Sequence, residues 1–314
     1  MASTVLLDIK DLSVLFHTDA GVVRACEDIN LKISDGESLC LIGESGCGKS
    51  VVALSLLNLL PSNAIVEGEV IFKGKNLLCM DNEAIRRIRG NEISMVFEQP
   101  ATCLNPVLTV GKQIAEAARI HEPMSRKDAN ERAVSLMDLV GIPPSRHNEY
   151  PHQFSGGMQQ RVMIAMALAL HPSLIVADEP TTSLDLITQA QILDLLKKSI
   201  HESGISLFLI THDLGVAWEV CDSVAVMYAG ELIEHSGMEQ FFRSPKHPYS
   251  RALLGAVSKS GFNPIGGTVP NLTRLPEGCR FHPRCGQCME ICKSVRPKMT
   301  NLDTGEVRCH LYPA

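Results

Sequence analysis

Apolar and polar positions alternate loosely over residues 5–33: Leu6, Ile9, Leu12, Val14 and Phe16, then Val23, Ala25, Ile29, Leu31 and Ile33. This pattern predicts two strands or more, turning at Asp19-Ala20-Gly21. The continuous apolar run Ser38-Leu39-Cys40-Leu41-Ile42 predicts a buried strand. After it, Ser50-Val51-Val52-Ala53-Leu54 with Leu56-Leu57 predicts a helix that stops at Pro61. Residues 68–72 read as a short strand with a turn at Lys73-Gly74-Lys75, residues 81–89 as a short charged helix, and residues 92–97 as a strand. Two helical patterns follow. One places Ile114, Ala117, Ala118 and Ile120 on a single face. The other opens on Ser125-x-x-Asp128, a capping-box-like start, buries Ala133, Leu136, Met137 and Val140, and ends at Gly141 and Pro143. A long helix is predicted over 160–170, and buried strands over 174–177 and 205–210. The helices bunched near 105–165 predict a helical subdomain inserted in an α/β core spanning 1–236. Beyond 236 the chain turns proline-rich, which predicts a boundary before a small C-terminal extension, 237–314.

Composition narrows the classes. The chain has 314 residues and a formal net charge of -6, so one large domain with a smaller one, or two domains, will fit. The acidic balance gives no support to nucleic acid as a partner. No run reaches the about 18 uninterrupted apolar residues of a membrane span. Asp8, Lys10 and Asp11 interrupt the N-terminus where a signal peptide would need its apolar core. A cytosolic chain, or one peripheral on the inner face of a membrane, is expected. Five of the eleven cysteines fall between Cys279 and Cys309, so their distribution matters more than their number.

Chemistry enters at Gly43-Glu44-Ser45-Gly46-Cys47-Gly48-Lys49-Ser50, which reads G-x-x-x-x-G-K-S between a predicted strand and a predicted helix. The glycines let the backbone curl until its N–H groups face phosphate oxygens, and the helix adds its positive end. Lys49 would neutralise the β- and γ-phosphates and Ser50 would hold Mg2+, with Val51 next in the nucleotide-contacting set. The glycine spacing is wrong for a dinucleotide fold, where Lys49-Ser50 would have no task. Cys47, a thiol at a helix N-terminus beside Lys49, is expected to have a lowered pKa and to react readily; the alternative is a buried, inert thiol.

Three further groups carry chemistry. The strand at 174–177 runs into Asp178-Glu179: Asp178 would position Mg2+, and Glu179 would polarise a water for attack on the γ-phosphate. Ser155-Gly156-Gly157 at a helix start is a second anion site, and two such sites in one chain suggest a nucleotide clamped between two protomers. His212 follows a strand end, within reach of a γ-phosphate. Phe16 or His17 lies where a ring could stack on a base, although a core Phe on a strand reads the same.

The phosphate loop, Ser-Gly-Gly helix, Asp-Glu strand end, Ser183-Leu184-Asp185 and His212, in this order, resemble the ATPase subunit of an ABC transporter over essentially the whole chain. The resemblance implies a P-loop NTPase core with an antiparallel β subdomain and a helical subdomain. It also implies that Ser155, Gly156 and Gly157 contact ATP on a second subunit, that Glu179 is the catalytic carboxylate, that Asp185 couples the two sites, and that His212 is a switch residue. Leu104-Asn105-Pro106, Tyr150-Pro151-His152-Gln153-Phe154, Pro245-Lys246-His247-Pro248-Tyr249 and Gly278-Cys279-Arg280-Phe281-His282-Pro283-Arg284-Cys285 look like oligopeptide/dipeptide/nickel importers. Such a subunit would pair with a second, different ATPase chain, two membrane-spanning permease subunits and an extracytoplasmic substrate-binding protein, at the cytoplasmic face of the membrane. An exporter ATPase, or a regulatory module that binds ATP without turnover, are the alternatives; the cysteine-bearing tail argues against the first, Glu179 and His212 against the second.

Two departures from the family pattern stand out. Glu98 occupies the position after Phe97 where the family has Gln, and Gln99 comes one residue later; either could face Mg2+. Cys47 stands where Ser is commoner. The tail has few large apolar residues, so something is expected to crosslink it. Disulfides are disfavoured in the cytosol. Zinc is possible from the spacing Cys285-x-x-Cys288, with His282 and His310 near, as are free thiols. The resemblance implies a 4Fe-4S cluster on Cys279, Cys285, Cys292 and Cys309, with Cys288 spare.

Overall fold

The computed structural model describes residues 4–19, 21–182, 184–257 and 265–312. From the N-terminus come β1 (Val5–Thr18), β2 (Gly21–Ser34), β3 (Ser38–Ile42), α1 (Lys49–Leu56), β4 (Ala64–Phe72) and β5 (Lys75–Asn76). Then follow α2 (Asn82–Ile88), β6 (Ile93–Val96), α3 (Pro100–Cys103), α4 (Val110–Arg119), α5 (Arg126–Leu139), α6 (Gly156–Ala167), β7 (Leu174–Asp178), α7 (Leu186–Ser203) and β8 (Ser206–Thr211). The last are α8 (Leu214–Val220), β9 (Ser223–Tyr228), β10 (Glu231–Gly237), α9 (Met238–Arg243), α10 (Pro248–Val257), β11 (Thr300–Leu302) and β12 (Gly305–Val307). The fold is mixed α/β. It divides into two compact units, one of Met1–Ser34, Ser38–Cys79 and Ile210–Ala314, the other of Asp35–Glu37 and Met80–Leu209.

In the first unit β1 lies between β2 and β4 in an antiparallel sheet, with Leu7 opposite Ile33 and Ile9 opposite Leu31 and Val70. The loose alternation has a structural cause. Asp11 and Asp28 take left-handed backbones, φ 49° and 56°, and the register shifts between Ile9 and Leu12. Each bulge adds one residue, so Ile9 and Leu12 both face inward although three positions apart. A second sheet in this unit runs β11-β12-β10-β9-β3. β3 and β9 are parallel and fully buried, while β12 extends the sheet antiparallel on β10, with Glu234 opposite Val307. Residues beyond 236 therefore belong to the first unit.

In the second unit most of β8 joins β7 and β6, the last two parallel, with Ile93 opposite Leu174. Helices gather between Pro100 and Ala167. Ser125 caps α5 through its hydroxyl, accepting from the Asp128 amide at 3.2 Å, and its buried face is Ala133, Leu136 and Met137. Gln113, buried on α4, bonds both the amide and the carbonyl of Asn105 and the carbonyl of Leu108, which fixes the Asn105-Pro106 turn.

Three expectations are corrected. α1 ends at Leu56, short of Pro61, because Asn58 turns into the left-handed region at φ 50°. Ile120 caps α4 and is exposed, outside the buried face of Val110, Ile114 and Ala118. α6 stops at Ala167, after which the chain turns through Leu170. No helix among the described residues is long and apolar enough to cross a membrane.

Candidate functional site

The first unit carries the phosphate loop. All five residues of β3 are buried, so the strand is a fixed base from which the loop springs. Gly46 and Gly48 have φ 78° and 107°. A Cβ at Gly48 would lie 2.1 Å from the Ala25 carbonyl oxygen, so both the turn and the packing demand glycine. α1 begins at Lys49, which leaves its first N–H groups opening onto the loop. Lys49 is buried, and its Nζ donates to the carbonyls of Gly43 at 2.8 Å and Glu44 at 3.3 Å. The ammonium is thus tethered to the loop it would serve. Ser45 and Ser50 are exposed and Val51 is half-buried in the first turn of α1. Phe16 is half-buried on β1, opposite Val23 and Ala64. His212 is exposed, just after β8.

Cys47 departs from its expectation. Its thiol is fully buried, and burial pushes its pKa up; the Lys49 charge offsets this only in part. Burial disfavours a charged thiolate by more than the helix N-terminus and a neighbouring ammonium favour it.

The second unit carries the carboxylates. β7 ends in buried Asp178. Glu179 follows in the left-handed region at φ 49°, an uncommon place for a non-glycine residue, and Thr182 donates its hydroxyl to Glu179 Oε2 at 2.9 Å. Strain of this kind concentrates at functional sites. Thr182 escaped the sequence reading, because only the turn brings it back to Glu179. Glu98 and Gln99 are both exposed between β6 and α3. Ser155 caps α6, accepting from the Met158 amide at 3.4 Å. A Cβ on Gly157 would lie 2.4 Å from Thr188 Cγ2, so α7 requires that glycine, whereas a Cβ on Gly156 would meet nothing within 4 Å. Asp185 caps α7, accepting from the amides of Ile187 at 3.1 Å and Thr188 at 3.0 Å. The Thr188 hydroxyl and these amides hold its carboxyl below the usual range. Ser183 lies outside the described residues.

In the C-terminal segment the thiols of Cys279, Cys285, Cys288, Cys292 and Cys309 are all free. The Cys279 amide donates to the Cys292 carbonyl at 2.8 Å. Burial pushes the Cys279 thiol up to about 12, and Cys292 and Cys309 add to the rise; burial likewise raises Cys309, with Cys285 and Cys292 contributing. Four cysteine sulfurs are a donor set of the kind an iron–sulfur cluster takes. No group of three or more His, Cys, Asp or Glu among the described residues is arranged to hold a metal ion, however. What fastens the segment is visible instead. Arg280 pairs with Glu231 at 3.1 Å and Glu27 at 2.6 Å, and donates to the Ala229 carbonyl at 2.6 Å. Arg296 joins the same two carboxylates, and Arg308 reaches Asp28 at 3.0 Å. Burial would raise the Glu27 carboxyl, but Arg280 and Arg296 outweigh it and hold it low. Buried Arg280 and Arg308, with Arg296 and β12, tie the segment to the rest of the first unit.

Known proteins resemble this chain over most of its length. Residues 26–182 match the family model described as ABC transporter, and residues 233–292 the model described as oligopeptide/dipeptide transporter, C-terminal region. The dipeptide transport ATP-binding protein DppD of Bacillus subtilis is 45% identical over 316 residues, covering 98% of this chain and 94% of that protein. The oligopeptide transport ATP-binding protein OppD of Escherichia coli is 44% identical over 315 residues, covering 98% and 93%. A solved dimeric ATP-binding cassette in a post-hydrolysis state, bound to ADP and Pi, is 30% identical with a TM-score of 0.68, covering 74% of this chain and 98% of that one. The chain belongs to the ATP-binding proteins of the ABC transporter family, on the branch that carries the oligopeptide/dipeptide transporter C-terminal region.

Proposed function

We propose that this chain is the ATP-hydrolysing subunit of a peptide importer, with residues 1–236 as the ATPase domain and 237–314 as its extension. The observation that carries the reading is a complete phosphate loop with Lys49 tethered at its mouth, in a chain about as similar to dipeptide as to oligopeptide transport proteins. The loop N–H groups and Lys49 bind the β- and γ-phosphates and Phe16 stacks on the base; Ser50 and Asp178 are the residues that would hold Mg2+, which would offset the charge of the triphosphate. Glu98 or Gln99 would face the same ion. Glu179 orients and deprotonates the attacking water, and His212 contacts the γ-phosphate.

A second, different ATPase subunit completes the site, its nucleotide meeting Ser155, Gly156 and Gly157 of this chain while Asp185 couples the two. Exposed Ser155 and Gly156, and the bare apolar side chains of Leu186 and Ile187 at 83% and 74% exposure, support such a contact. Two membrane-spanning permease subunits and an extracytoplasmic substrate-binding protein place the chain peripherally at the cytoplasmic face. Cys279, Cys285, Cys292 and Cys309 are the residues that would hold a 4Fe-4S cluster, which would supply a structural or redox-sensing crosslink beside the arginine pairs. Uptake of labelled di- and tripeptides and of radioactive nickel in cells carrying Lys49→Ala tests the reading. Loss of peptide uptake supports it; normal peptide uptake, or loss confined to nickel, overturns it. Protein purified without oxygen should be brown and hold about four irons; colourless protein with stoichiometric zinc would remove the cluster.

A further inference from the structure

Glu44 has no role in the chemistry above, yet two motifs from the far end of the chain converge on it. Arg284 donates to both oxygens of its carboxylate, Nη1 to Oε2 at 2.8 Å and Nη2 to Oε1 at 3.0 Å. The Glu44 amide donates to the Tyr249 hydroxyl oxygen at 3.1 Å, while its carbonyl accepts from Lys49 at 3.3 Å. Side chain, amide and carbonyl of one loop residue are therefore all held.

The holding groups are themselves fixed. The Arg284 side chain is only 5% exposed. It also donates to the Gly266 carbonyl at 2.8 Å and the Tyr228 hydroxyl at 3.3 Å, with its guanidinium 5.7 Å from the Tyr228 ring centroid. Tyr249 is fully buried, its ring centroid 4.8 Å from Tyr228 and 5.4 Å from Phe281. A two-pronged guanidinium–carboxylate pair on a rigid aromatic base fixes both distance and direction.

The electrostatics give this geometry a purpose. A carboxylate in a loop built to receive a triphosphate repels the ligand unless a cation offsets it. Arg284 supplies that cation, and Tyr249 fixes the point where the loop leaves β3. We propose that Arg284 and Tyr249 are positioning residues for the phosphate loop, so that the C-terminal segment sets the affinity of this chain for ATP. The inference rests on the reading that residues 43–50 bind ATP.

The test uses the full chain with Mg-ATP, measuring the dissociation constant by titration and KM and kcat by steady-state hydrolysis. Arg284→Gln is expected to raise KM about tenfold, the scale of a lost hydrogen-bonded charge, with kcat falling far less. Adding Glu44→Gln removes the charge that Arg284 offsets, and returns KM to within about twofold of wild type. Arg284→Lys, which keeps the charge and loses the fork, falls between, and serves alone if the Gln variant melts too low to assay. An unchanged KM in Arg284→Gln, while Lys49→Ala abolishes binding, overturns the inference and leaves the ATP site standing. A raised KM that Glu44→Gln does not restore also overturns it. Wild-type affinity in Lys49→Ala overturns the ATP-site reading and the inference together.

Discussion

Thr182 donates its hydroxyl to Glu179 Oε2 at 2.9 Å, and its amide meets the Glu179 carbonyl at 3.2 Å. The turn closes on a residue whose own backbone is left-handed, so the carboxylate is aimed by a strained peptide and one hydroxyl. Glu179→Gln should keep ATP binding and lower turnover at least about a hundredfold, as expected for a lost general base. Retained ATP then holds a dimer together, visible by size-exclusion chromatography in Mg-ATP. Thr182→Val should lower kcat about tenfold, since the base keeps its chemistry and loses its aim. Wild-type turnover in Glu179→Gln would remove it from catalysis.

Burial of Cys47 sets its reactivity. Maleimide applied to native protein should modify the exposed thiols of Cys79, Cys103 and Cys288 and spare Cys47 until denaturant is added. Peptide mass spectrometry reads this directly. Early modification of Cys47, blocked by ATP, would contradict it.

His247 is buried, its Nδ1 accepts from the Tyr249 amide at 3.0 Å, and burial together with Arg251 lowers its pKa to about 3. Its own amide and that of Lys246 donate to the Glu234 carboxylate, each at 2.7 Å. Unfolded His titrates near 6.5, so as pH falls below that value the unfolded chain takes up a proton that the native chain refuses. Stability contributed by the neutral imidazole is present above about pH 6.5 and is lost as pH falls toward 3, by about 1.4 kcal/mol per pH unit. The melting temperature of wild type should therefore drop more steeply between pH 6 and 4 than that of His247→Asn, whose side-chain oxygen accepts the same bond. Parallel curves would show that His247 does not titrate on unfolding.

Arg280→Met should destabilise the chain by about 3 kcal/mol, because Glu231, only 2% exposed, is left buried with half its cationic company. Thermal melting would register this as a fall of several degrees, partly recovered when Glu231→Gln removes the stranded charge. An unchanged melting temperature would mean that Arg296 alone suffices.

The parts whose physics is local are legible in the chain alone. A phosphate loop needs an apolar strand, glycines, Lys49-Ser50 and a helix start within a few residues, and all lie side by side in the chain. Ser155 at its helix start and the carboxylates after β7 are local for the same reason. Whatever depends on distant chain emerges only on folding. Arg284 meets Glu44 across 240 residues, and no spacing rule connects them. Folding buries Cys47, and burial raises its pKa by more than the helix end and Lys49, its neighbours in sequence, lower it. The bulges at Asp11 and Asp28 reset the inward face of β1 and β2, since a period of two survives only while no residue is added. The attachments of the cysteine-bearing segment are equally remote in sequence. Its charged residues Arg280, Arg296 and Arg308 find their carboxylates on β2 and β10, far away in the chain, and only folding brings them together.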